Sequence, residues 1–168
     1  MDLILTLAED QLFEFVRSEE LLDEWERVIV ERGKRTTESA RSVAATVRES
    51  FKDGRIDPKG YRDKEWPELP DIDDRVHGAA ATEGANVLLT RNLDDFPPYM
   101  LPKLKITTAD EYLTSLFRHR PRDFIGALRK LAASKRRPPM TDCEYVLKLR
   151  NAGCVNLAKV LARPLGCD

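Results

Sequence analysis

Residues 69–96, LPDIDDRVHGAAATEGANVLLTRNLDDF, decide how this chain is read. Asp71, Asp73 and Asp74 stand just before Gly78-Ala79-Ala80-Ala81, a run of small residues. Small side chains let a helix lie close against a sheet, and the acids then sit at that helix's N-terminus. Residues 86–90 (NVLLT) read as a buried strand, and Asn92, Asp94 and Asp95 follow it directly. In a parallel sheet, strand C-termini and helix N-termini share one edge, so the two acidic groups are expected to converge there. Oxygen donors without histidine or thiolate suit Mg²⁺ or Mn²⁺ better than zinc. Taken singly, the same acids also read as helix caps and turn residues.

Working upstream, residues 3–9 have helical spacing. Residues 11–17 (QLFEFVR) are apolar at Leu12, Phe13, Phe15 and Val16 and predict a short strand. Ser18 offers an N-cap to a helix ending near Arg32, with Glu19 and Glu20 placed well for the helix dipole and Gly33 as its stop. Its apolar stripe is Leu21, Leu22, Trp25, Val28 and Ile29. Glu24 flanks that stripe, able to face the sheet edge and also readable as a solvated surface acid. A further polar helix spans about 37–51, and residues 55–70, with Gly60 and three prolines, read as an irregular connection.

Working downstream, residues 103–107 (KLKIT) give another short strand, and beyond them the texture is helical only. Thr108-x-x-Glu111 and Thr141-x-x-Glu144 are both capping boxes. The expected architecture is α/β, a parallel sheet flanked by helices over 1–115, followed by a small helical extension over 116–168.

The net charge of −1 hides an asymmetry. Residues 1–100 hold 14 Lys/Arg against 23 Asp/Glu, whereas 101–168 hold 14 against 6. Arg118, Arg120, Arg122, Arg129, Lys130, Arg136 and Arg137 form a basic patch suited to phosphate contacts with a nucleic acid, or to docking an acidic surface. Few aromatics are interleaved, so base stacking is not indicated. No run of about 18 apolar residues reads as a membrane span, and the acidic start does not resemble a secretion signal. A cytoplasmic location is expected. The three cysteines, Cys143, Cys154 and Cys167, lack a CxxC pair and read as reduced thiols.

The string LPDIDDRVHGAAATEGANVLLTRNLDDFP resembles the signature of the PIN-domain superfamily, in particular its VapC-like toxin ribonucleases. Residues 7–33 resemble the next upstream strand and helix of that subgroup, and residues 140–162 resemble the helical extension of some members. The resemblance implies a metal-dependent endoribonuclease, the toxin of a toxin–antitoxin pair, working with acid-bound Mg²⁺ or Mn²⁺ on RNA and partnered by an antitoxin. By motif, the family's helix carboxylate falls on Glu24, its third acid on Asp74, the position after the fourth strand on Asn92 and the later acid on Asp95. Asp71 matches the first acid of the central string, and Thr90 the hydroxyl residue beside the metal.

Three features depart from the pattern. The family opens on a central strand ending in Asp-x-x-x-Leu, and no such segment precedes Leu3. A longer chain, a strand from a partner copy in a homodimer, or a non-catalytic RNA- or antitoxin-binding derivative are the expectations that follow. Gly78 stands where the family has a larger apolar residue or Ala, at a cost of about 1 kcal/mol in helix propensity. His77 lies one position later than the family's histidine and reads as a surface or packing residue.

Overall fold

The computed structural model describes residues 2–64, 66–134 and 140–167. Along the chain run α1 (Asp2–Glu9), α2 (Glu19–Glu31), α3 (Thr37–Ser50), α4 (Ile72–Gly84), β1 (Val87–Leu89), β2 (Lys105–Thr107), α5 (Ala109–His119), α6 (Pro121–Ser134), α7 (Asp142–Asn151) and α8 (Val155–Leu165). The chain is mostly helical around a small parallel two-stranded sheet, an α/β arrangement with a helical C-terminal part. It divides into two compact units, Phe15–Ile106 and a second made of Met1–Glu14 with Thr107–Asp168. In the second unit, α1 and α5 share a core with the last three helices.

In the unit Phe15–Ile106, the helix signals read from sequence act as expected. Ser18 Oγ accepts a hydrogen bond from the Leu21 N–H at 3.2 Å and caps α2, and Gly33, at φ +61°, follows the end of that helix. Thr36 caps α3 in the same way. Arg48 of α3 then ties the two helices through Glu19, Asp23 and Glu26 of α2. Leu22 is the buried residue of the α2 stripe, while Leu21 is exposed.

The strand expected over 11–17 does not form. Leu12 and Phe13 turn into the core of the helical unit, whereas Val16 packs beside Ile56 and Tyr61 in the other. One apolar run therefore serves two cores and has no common face to lay on a sheet. What remains is a single parallel bridge, with the Arg17 N–H donating to Gly54 O and the Ile56 N–H to Arg17 O, both at 2.9 Å. Gly54 permits it, since a Cβ there would lie 2.1 Å from the Phe15 carbonyl oxygen.

The described residues of 55–70 form one 3₁₀ turn, Pro58–Gly60, and otherwise run irregularly, yet Tyr61 and Leu69 are among the most buried side chains described. Gly78, Ala79, Ala80 and Ala81, a full turn of α4, are all buried, Ala81 with Leu69 and Phe96 and Ala79 and Ala80 with Ile56 and Tyr61. A Cβ on Gly78 would meet Leu69 Cδ1 at 3.2 Å and Pro67 Cγ at 3.4 Å, so the loss in helix propensity accompanies a close approach. β1, expected to be fully buried, is half-buried along its length because β2 is its one neighbour among the described residues.

In the helical unit, Leu3 and Leu7 of α1 join Phe124, Leu128, Leu157 and Leu161 in one apolar cluster. Both capping boxes are complete. Cys154, at the N-cap of α8, makes no side-chain capping bond. Asp110 of α5 replaces it, accepting from the N–H groups of Asn156 and Leu157 at 3.0 and 2.8 Å. Cys143 and Cys167, expected as reduced thiols, are joined by a disulfide. α7 and α8 fold back on each other and bring the two Cα atoms to 5.2 Å, a closeness that a sequence separation of 24 gives no hint of. Among the described residues, no helix is long and apolar enough to cross a membrane.

Two measurements check these packing claims. Gly54→Ala forces backbone apart and is expected to lower stability by about 1–3 kcal/mol in urea unfolding. Reduction of the Cys143–Cys167 bridge, or Cys143→Ser, is expected to cost about 3 kcal/mol by the entropy of the closed loop, read as a lower Tm in the reduced protein.

Candidate functional site

The acids of the 69–96 stretch are held by the start of α4 and the end of β1. Asp71 is the N-cap of α4, its Oδ1 accepting the Asp73 N–H at 2.7 Å, so one of its oxygens is engaged in backbone capping. Asp73 faces Arg27 of α2 at 3.5 Å. Asp74, in the first turn, is half-buried. After β1, Thr90 Oγ1 accepts the Asn92 N–H at 3.1 Å and turns the chain into a 3₁₀ segment, Leu93–Asp95, that presents a half-buried Asp95.

These side chains act on one another electrostatically. Burial pushes the Asp74 carboxyl above its ordinary value, and the charges of Asp71, Asp95 and Glu24 push it further, with His77 opposing. The charges of Asp71, Asp95 and Glu24, from the start of α4, the turn after β1 and α2, are thus each near enough to act on Asp74. Asn92 is exposed, and its backbone N–H is held by Thr90. Thr90 fixes the turn that carries Asp95.

His77 is the residue the sequence reading left out of the site. Its Nε2 lies 2.6 Å from Glu24 Oε2, joining α4 to α2. Its side chain is 12% exposed against 36% for Glu24. The signal was present in the spacing: positions 74 and 77 are three apart and share a helix face.

The expected basic patch is partly neutralised within the helical unit. Arg120 pairs with Asp123 at 2.9 Å, Arg129 with Asp142 at 3.0 Å and Lys130 with Asp10 at 2.7 Å. Arg118 and Arg122 are exposed and make no ion pair among the described residues. Arg136 and Arg137 lie outside the described residues.

A family model described as a PIN domain matches residues 1–94, more than half of the chain. The chain belongs to the PIN-domain family. A second model, described as the VapC50 C-terminal domain, matches residues 109–163, covering most of α5 to α8. No curated protein and no solved structure matches the chain.

PIN domains are generally dependent on divalent metals. The donors here fit such an ion in chemistry and in sign: they are hard oxygens, crowded enough that Asp74 holds its proton more tightly than usual. A bound cation relieves that crowding. In position the fit is looser, since among the described residues no three Asp, Glu, His or Cys side chains stand ready around one ion position.

The raised proton affinity of Asp74 has a consequence for stability. A carboxyl that binds its proton more tightly in the folded chain destabilises the fold once ionised. The penalty is full above the folded pKa and disappears below the ordinary carboxylate range. Asp74→Asn is therefore expected to raise Tm by about 1–4 °C at pH 7, with the gain lost near pH 3.5. Thermal melts across that pH range check it; an unchanged Tm at neutral pH would show that the acids do not strain the fold.

Proposed function

We propose that this PIN-domain chain is a VapC-like endoribonuclease, the toxin of a toxin–antitoxin pair, that uses Mg²⁺ or Mn²⁺ to cut RNA in the cytoplasm. The observation that carries the reading is the gathering of Asp74, Asp71, Asp95 and Glu24, with Asp74 under the combined pressure of burial and its acidic neighbours. Glu24, Asp74, Asn92 and Asp95 would hold the ion, with Asp71 and Thr90 in support. When bound, the ion supplies Lewis acidity toward a phosphoryl oxygen and makes its water a stronger nucleophile at neutral pH. The half-buried carboxylates would accept and orient protons of the attacking water. Arg118 and Arg122, free of ion pairs among the described residues, contact RNA phosphates from the helical unit, and Arg120, Arg129, Lys130, Arg136 and Arg137 widen that surface.

A second reading, a non-catalytic module that binds RNA or an antitoxin, draws support from the absence of a ready three-ligand cluster among the described residues. On either reading, the short two-stranded sheet has open edges that suit an added strand from a second copy.

Single-turnover cleavage of labelled RNA separates the two readings. Cleavage is expected with Mg²⁺ or Mn²⁺, is expected to vanish with chelator and to fall to background in Asp74→Ala. Salt-sensitive RNA binding without cleavage in either metal, and without metal binding by calorimetry, would select the module instead.

A further inference from the structure

We propose that His77 is a positioning residue that holds the Glu24 carboxylate in place for the metal; this rests on the nuclease reading above. Glu24 stands on α2 and Asp74 on α4, and a shared ion needs both helices to present their acids at a fixed separation. Among the described residues no side chain of α2 makes a hydrogen bond or ion pair with Glu24, which at 36% exposure would otherwise keep rotamer freedom. His77 removes that freedom. Its Nε2–H donates to Glu24 Oε2 at 2.6 Å, and Oε1 is left for a cation. The imidazole is itself largely buried, 12% exposed, on α4 just before the buried run that begins at Gly78.

The other ring nitrogen, Nδ1, is buried with no hydrogen-bond partner. An unpaired buried N–H is rarer in proteins than an unpaired acceptor, so the proton belongs on Nε2, where Glu24 takes it. A neutral donor suits the task. A lysine in its place would fix Glu24 equally but put a permanent positive charge beside the ion. Groups that orient ligating carboxylates typically change metal affinity by about 10–100-fold when removed.

The test uses the full chain and Mn²⁺ as the probe. In metal-free protein, His77→Ala, Glu24→Gln and the double variant are melted; the contact predicts non-additive losses, the double variant falling no further than His77→Ala alone. Calorimetric Mn²⁺ titration then compares wild type, His77→Ala and His77→Gln, whose amide nitrogen reaches the place of Nε2. The expected result is about 10–100-fold weaker binding in His77→Ala, with most of the affinity recovered in His77→Gln at a similar Tm. Wild type that binds Mn²⁺ and a His77→Ala protein that binds it equally well overturn the positioning role while leaving the nuclease reading intact. Wild type that binds no Mn²⁺ overturns the nuclease reading, and this one with it. Additive melting losses show that the two side chains are not coupled and also overturn it.

Discussion

The close approach of α4 to its surroundings is the constraint on which the 15–106 unit depends. Gly78 has no side chain, and Leu69, Pro67 and Leu101 come so near that an added Cβ would lie 3.2–3.5 Å from them, while Ala79, Ala80 and Ala81 complete the buried turn. That proximity fixes the axis of α4, and the axis fixes where Asp71, Asp74 and His77 stand. The acids gather because an apolar face closed beneath them; their own charges work against the arrangement. A residue as large as Leu at position 78 would push α4 outward and separate Asp74 from Glu24.

Local features of the sequence were legible in proportion to how local their physics is. Caps at Ser18, Thr108 and Thr141, the stop at Gly33 and the small-residue face of α4 depend on neighbours three or four positions away, and each was readable. The 11–17 segment was misread because its apolar residues look alike on paper, while Leu12 and Val16 belong to different cores. The disulfide was invisible because the pairing follows from two helices folding back. Capping of α8 by Asp110 was hidden for the same reason.

The site shows the same division. Asp74, Asp71 and Asp95 were readable as one edge, because strand ends and helix starts meet there in parallel α/β folds. Glu24 was ambiguous from helical geometry alone, since a flanking acid faces the site only if α4 lies beside it. His77 was set aside although it shares a face with Asp74, because nothing along the chain shows what Glu24, 53 residues away, needs for a partner. Much of the basic patch, by contrast, was legible as composition yet is spent on internal pairs such as Lys130 with Asp10.

The way the helical unit is threaded bears on how the chain is made and handled. Its core is built from both ends of the sequence, with Leu3 and Leu7 seated among residues that follow position 112. During synthesis α1 emerges long before α6 and waits, apolar face uncovered, until α6 exists to receive it. A fragment that stops after the 15–106 unit keeps that greasy helix without its seat, and is expected to be sticky. The same late-arriving seat is equally open to the α1 of another copy, which makes exchange of this helix a route to intertwined assemblies.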